Sequence, residues 1–269
     1  MKQLTVGGVE IAYLDKGKGP AVVIGHCSSA SHKEWLPLIE TLQSDWRVLA
    51  PDFIGYGRSD PWPAEEPFST DADVNVLLAV AKKTKGPLHL VGHSYGAALA
   101  LEAARTLGPR VKSLTLVEPV SFQLLRQEGR PEWAEVEQLG IAVLGPVAKG
   151  EDRAAAAAFM SYWLGRWRWW LSPERFKDAI AATIPKVALE FTIALDAPTS
   201  LQDYAAVTAP TLLIKGSKTR APTCVVVDLL AAALPNATLE SLKGAGHMSP
   251  FTHPAALNRL ILDHLAAHR

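Results

Sequence analysis

The sequence predicts an α/β protein, with a mainly parallel central sheet, helices on both faces and a helical insertion past the middle of the chain. Three observations predict it. Short apolar runs, the pattern of strands covered on both faces, alternate with stretches of helical periodicity. The alternation stops over residues 121–199, where helical patterns succeed one another without a convincing parallel strand, and then resumes. Finally, Gly92-His93-Ser94-Tyr95-Gly96 stands between an apolar run at 88–91 and an alanine-rich stretch at 97–104, where a strand would turn sharply into a helix.

Taken in order, residues 4–6 and 9–13, separated by Gly7-Gly8, read as a β-hairpin. Residues 21–24 form a continuously apolar strand that ends in Gly25-His26-Cys27-Ser28-Ser29. Residues 35–42 read as a helix and 47–50 as another buried strand, which leads into the glycine-rich turn from Pro51-Asp52 to Arg58-Ser59. Apolar positions 74, 77, 78 and 81 predict an amphipathic helix over 71–83. The next strand, 113–117, ends at Glu118-Pro119. Within the insertion, Gly145-Pro146, Ser172-Pro173 and Pro185 are expected to break the helical patterns, and the alanine run 154–158 favours helix. A strand at 211–215, a helix near 223–233, a strand at 238–242 and a helix at 254–267 complete the alternation. The predicted division is a core of residues 1–120 and 200–269, with residues 121–199 as a helical cap at the carboxyl edge of the sheet.

A chain of 269 residues can bury one substantial core, and its 48% hydrophobic content is ordinary for a soluble globular protein. Lys+Arg and Asp+Glu both number 27, so the chain carries no bulk charge that would select nucleic acid or an anionic membrane as partner. Cys27 and Cys224 offer neither a disulfide framework nor a metal-binding spacing, and the same holds for His89, His93, His253, His264 and His268. No metal is assigned. Residues 1–9 lack the apolar core and small-residue cleavage site of a signal peptide, and no apolar stretch approaches the ~18 residues of a membrane-spanning helix. A cytoplasmic location is the expectation.

The chemistry centres on Ser94. Glycines on either side let the chain fold tightly and lift the hydroxyl above the sheet, while the helix start directs free N–H groups towards developing negative charge. A serine hydroxyl needs a neighbouring base. His247 is the candidate, because Gly244-Ala245-Gly246 after a strand forms a loop able to swing an imidazole over the serine.

Four motifs occur in order: Gly25-His26 after an early strand, Asp52-x-x-Gly55-x-Gly57-x-Ser59, the Gly92 to Gly96 elbow, and Gly244-x-Gly246-His247. With them the chain resembles the α/β-hydrolase superfamily over almost its whole length. Tyr162-Trp163-Leu164-Gly165 and Glu118-Pro119-Val120-Ser121-Phe122 are similar to a capped bacterial serine hydrolase or esterase-like branch. The resemblance implies backbone oxyanion donors at Tyr95, the residue after the nucleophile, and at Cys27, in the loop after the early strand. It also implies an acid. The commonest position, three residues beyond Gly216, holds Thr219 here, but some members carry the acid after the preceding strand, where this chain has Glu118. Adjacent strands lie ~5 Å apart, a gap that glutamate can span to reach the histidine.

Other residues receive plainer roles. Asp52 and Ser59 are expected to stabilise their turn, and Cys27 to supply an amide rather than a nucleophile, since Ser94 holds the elbow. His26 and Trp163 are the side chains placed in the substrate-binding region, His26 as a brace for the oxyanion loop rather than a proton carrier. Trp163, Trp167, Trp169 and Trp170 either line a hydrophobic channel or form the core of the cap. The implied activity is cofactor-free hydrolysis of a small or medium acyl compound, foremost a carboxylic ester, through an acyl-enzyme. Thioester, lactone and C–C bond hydrolysis remain open with the same triad, as does a small-molecule binding protein or receptor that has kept the fold. Dehalogenase and epoxide hydrolase readings are weaker, because such relatives use a carboxylate nucleophile at the elbow.

Overall fold

The computed structural model describes residues 1–63 and 67–269. Its strands are β1 (Lys2–Val6), β2 (Val9–Lys16), β3 (Ala21–Gly25), β4 (Arg47–Pro51), β5 (Leu88–His93), β6 (Val111–Val117), β7 (Thr211–Gly216) and β8 (Ala237–Leu242). They form one eight-stranded sheet in the order β1-β2-β4-β3-β5-β6-β7-β8. The β1/β2 and β2/β4 pairs are antiparallel, and every pairing from β4 to β8 is parallel. The helices are α1 (Leu36–Leu42), α2 (Thr70–Ala81), α3 (Tyr95–Leu107), α4 (Gln123–Gln127), α5 (Trp133–Val147), α6 (Asp152–Leu164), α7 (Arg166–Trp170), α8 (Glu174–Ala194), α9 (Leu201–Tyr204), α10 (Ala221–Ala233), α11 (Ser249–Thr252) and α12 (Pro254–Ala267).

The central strands are apolar throughout because both faces are covered. In β3, Val22 and Ile24 pack on one face against α1 and α12 through Leu38, Ile39, Leu257 and Ile261. Ala21 and Val23, pointing the other way, join the core built with α2, α3 and α10. This period-two division of a run without polar residues is what a doubly covered strand requires.

Helices α4 to α8 lie between β6 and β7, as the interrupted alternation predicts. The expected breaks need correction. Only Ser172-Pro173 separates two helices, whereas Pro146 falls inside α5 and Pro185 inside the 21-residue α8. An interior proline costs ~3 kcal/mol, but Ile180, Ile184, Val187, Ala188 and Phe191 bury one face of α8, and that burial offsets the lost hydrogen bond.

A buried polar knot fastens α8 to the core. Lys186 Nζ donates to Asp73 Oδ2 of α2 at 2.8 Å and to Glu190 Oε1 at 2.9 Å, beneath the rings of Tyr56, Phe68 and Tyr95. Tyr56 donates to Glu190, Tyr95 to Asp73, and Ser28 Oγ to Glu190 Oε2. Burial works against the Lys186 charge, yet the two carboxylates hold its pKa above the ordinary lysine value. Among the described residues no helix is long and apolar enough to cross a membrane.

Candidate active site

Ser94 sits between the end of β5 and the start of α3 with φ 56° and ψ −118°, a conformation that costs a non-glycine residue ~1–3 kcal/mol. Its neighbours must be small. A Cβ on Gly92 would stand 2.3 Å from the Gly96 carbonyl oxygen, and one on Gly96 would stand 2.4 Å from that of His26. Tight packing of the elbow against the loop after β3 therefore holds the strain and fixes the hydroxyl.

His247 Nε2 lies 2.9 Å from Ser94 Oγ, and its Nδ1 lies 2.7 Å from Glu118 Oε2. The carboxylate accepts, so Nδ1 carries the proton and Nε2 is free to accept from the serine. The loop that carries His247 is tied down rather than swinging: Lys218 N–H donates to the Ala245 carbonyl at 2.8 Å, and Gly244 N–H to Ser217 Oγ at 2.8 Å. The Trp163 ring from α6 stacks on the imidazole with centroids 3.8 Å apart.

Glu118 still pairs with β7 through its N–H to the Ile214 carbonyl, then turns inward with φ 47°. Its Oε1 accepts from Gly216 N–H at 2.7 Å and from the Thr219 hydroxyl. Thr219, which stands where the resemblance places the commoner acid, thus donates to Glu118. Burial alone would raise the Glu118 pKa, but the His247, Thr219 and Gly216 donors hold it below the ordinary carboxylate value. His247 lies below its ordinary value because burial outweighs the support of Glu118. The pair rests as carboxylate and neutral imidazole.

The Cys27 amide departs from expectation. Its N–H donates to Glu34 Oε2 at 2.7 Å and is not free for a substrate oxygen. Among the described residues no protein acceptor takes the N–H of Ser28, one position on, or of Tyr95. Glu34 itself was not singled out by sequence, since it belongs to no motif. It sits in the 3-10 turn His32–Trp35 and is 6% exposed; a carboxylate just before the apolar face of α1 is the only local hint.

Glu34 forms a second buried pair. Its Oε1 lies 2.6 Å from His93 Nδ1, while His93 Nε2 lies 2.9 Å from the His247 carbonyl. Both partners accept, so His93 carries both protons. Burial opposes the charge, but Glu34 holds His93 above its ordinary pKa, and His93 in turn keeps Glu34 below its own. Cys27, Glu34 and His93 bring three potential metal-ligand atoms within 4.8 Å, a grouping the sequence spacing did not reveal. Here the carboxylate is already shared between His93 and the Cys27 amide. Burial and Glu34 push the Cys27 thiol well up, away from the thiolate that ligation or nucleophilic attack requires.

His26 is not a substrate-binding residue. It is fully buried, accepting from Phe53 N–H at Nε2 and donating from Nδ1 to the Cys27 carbonyl, which makes it a brace. Asp52 receives the His32 and Arg58 N–H groups, and the Ser59 hydroxyl donates to the Asp52 carbonyl. The tryptophans divide: Trp163 lines the cavity over Ser94, Trp169 is buried, and Trp167 and Trp170 are 78% and 67% exposed. That cavity, about 410 Å³, is walled largely by Phe159, Met160, Leu164, Phe176 and Ile180 of α6 and α8 and by Met248 and Phe251.

Lipase LipV of Mycobacterium tuberculosis is 41% identical over 27% of this chain and 27% of its own length. Pyrrolizixenacetamide deacetylase of Xenorhabdus hominickii is 29% identical over 52% of this chain and 56% of its own length. The chain thus spans little more than half, or less, of these curated relatives. A hydrolase from Pseudomonas aeruginosa PA01 superposes with a TM-score of 0.78 at 26% identity, covering 98% of this chain and 97% of that one. The family model described as alpha/beta hydrolase fold matches residues 20–254, and with the strand order and elbow above, the chain belongs to the α/β-hydrolase fold family.

Proposed function

We propose that the protein is a serine hydrolase that cleaves a carboxylic ester through an acyl-enzyme, with Ser94, His247 and Glu118 as its triad. The observation that carries this reading is the continuous hydrogen-bonded chain from Ser94 Oγ through His247 to Glu118, opening beneath an apolar cavity. Ser94 attacks the carbonyl as His247 takes its proton, and Glu118 orients the imidazole and stabilises its charged form. Trp163, stacked on that ring, adds a π face to the developing cation and keeps water from one side. The oxyanion is held by the N–H groups of Tyr95 and Ser28, each worth ~2.7–4 kcal/mol in such a role. His247 then protonates the leaving oxygen, and water, activated by the same imidazole, releases the acid.

No step needs a cofactor. Residues 121–199 act as the cap in this reading, since α6 and α8 supply much of the cavity wall. Lipase and deacetylase names among the relatives support acyl chemistry, and the serine at the elbow favours an acyl over an alkyl intermediate. A fluorophosphonate should label Ser94 stoichiometrically, as read by peptide mass mapping. Labelling at Cys27 with Ser94 untouched would remove the nucleophile assignment.

A further inference from the structure

The space at Ser94 is divided unequally. Besides the 410 Å³ cavity, a recess of about 40 Å³ opens on the other side of the serine, walled by Tyr95, Val120, Phe122, Phe191 and Leu195. Ser28, Ser94, Phe159 and Trp163 border both spaces, so they meet at the reacting atom. His247 borders only the large cavity and Tyr95 only the recess.

From this asymmetry we infer that the substrates are esters of a short, uncharged acyl group, acetyl to butyryl, with a larger apolar alcohol. The inference rests on the hydrolase reading. In the tetrahedral intermediate the leaving oxygen must sit within reach of His247 Nε2 to be protonated, so the alcohol occupies the space that His247 borders. The oxyanion points to the backbone amides, and the acyl substituent takes the remaining direction, into the recess. A recess of 40 Å³ holds about three water-sized groups, which matches the one to three carbons beyond the carbonyl of acetyl, propionyl or butyryl.

The recess also selects against charge. Its wall carries the carboxylate of Glu190, whose Oε1 is bonded to Lys186 and Tyr56 and Oε2 to Ser28, so those side-chain donors are already taken and a negative group stands ready to repel an acyl carboxylate. The large cavity is lined by aromatic and aliphatic side chains, and Phe176 and Phe251, 37% and 51% exposed, carry the apolar surface to its mouth. Its volume falls in the ~300–1,000 Å³ range of small-molecule sites.

Two ester series test this on the intact protein. Along p-nitrophenyl acetate, butyrate, hexanoate and octanoate, kcat/KM should fall by about tenfold or more beyond butyrate. Along ethyl, butyl and hexyl acetate it should rise by a similar factor, since one methylene in an apolar pocket is worth about tenfold or more. Leu195→Ala, which enlarges the recess and not the large cavity, should raise the hexanoate-to-acetate ratio while the relative rates among the alkyl acetates keep their order and spacing; Phe122→Leu provides a second enlargement if that protein folds poorly. Preference for long acyl chains with a flat alcohol series, or a Leu195→Ala effect confined to the alcohol series, overturns the inference while Ser94-dependent turnover leaves the hydrolase reading standing. If no ester in either series is turned over faster than by Ser94→Ala, the hydrolase reading falls and the inference with it.

Discussion

Two buried glutamate–histidine pairs lie side by side in this protein, with the His93 and His247 rings 5.0 Å apart. Their short contacts are nearly the same, 2.7 Å for Glu118–His247 and 2.6 Å for Glu34–His93. The other ring nitrogen separates them. His247 Nε2 faces a hydroxyl that can give up a proton, so the imidazole rests neutral; His93 Nε2 faces a backbone carbonyl that can only accept, so the ring rests as a cation. A carboxylate beside a histidine does not by itself make an acid–base device. What the far nitrogen meets decides whether the proton can move. The Glu34–His93 pair instead links the loop after β3, the elbow and the His247 loop, one contact to each.

Replacing each glutamate should separate the two roles. Glu118→Gln allows the amide to donate to His247 Nδ1 and favours the wrong tautomer, so turnover should drop by up to ~10⁴ while the melting temperature changes little. Near-full turnover in a folded Glu118→Gln protein would remove Glu118 from the triad. Thr219→Asp in that background returns a carboxylate to a site already in contact with the Glu118 side chain, and partial recovery of kcat is expected. Glu34→Gln should do the reverse of Glu118→Gln. It leaves a buried imidazolium without its anion, which costs about 3–5 kcal/mol of stability, visible as a lower urea midpoint, with a much smaller loss of kcat than Glu118→Gln. If Glu34→Gln silenced the enzyme at unchanged stability, the pair would belong to the chemistry and not to the scaffold.

The strands, the elbow and the motif histidine were legible in the sequence because each leaves a local pattern: buried strands as apolar runs, the turn as paired glycines. Glu118 was legible by substitution, since Thr219 stands where the commoner acid would be, and the structure brings that glutamate within hydrogen-bond reach of His247. Glu34 was not, because a carboxylate in a short turn reads the same whether solvated or buried. The Cys27 amide failed for a related reason. Backbone donors have no side-chain signature, and a shift of one position depends on which N–H a distant carboxylate has already claimed. Pro185 misled because propensity speaks for the isolated helix, whereas α8 is held by its buried face and by Lys186.

The smallest effect tests the charges themselves. His247 has a native pKa below its unfolded value of about 6.5, so on acidification below that point the unfolded chain takes up a proton the native state refuses, and stability falls with falling pH. His93 has a native pKa above about 6.5; its contribution is fully present below that value and is lost as pH rises through the native pKa. The two histidines therefore tilt the stability curve in opposite directions on either side of about pH 6.5. The double substitution Glu34→Gln/His93→Gln removes both charges and keeps hydrogen-bonding side chains in place. Urea unfolding between pH 5 and 9 should then lose the alkaline-side decline relative to the parent protein. The same variant removes the His93 cation, which pushes the His247 pKa down by more than Glu34 lifts it, so the acid limb of kcat/KM should move to higher pH. Stability curves that stay parallel to the parent's, with an unmoved acid limb, would mean that His93 is neutral in the native protein and that the two pairs differ less than their contacts suggest.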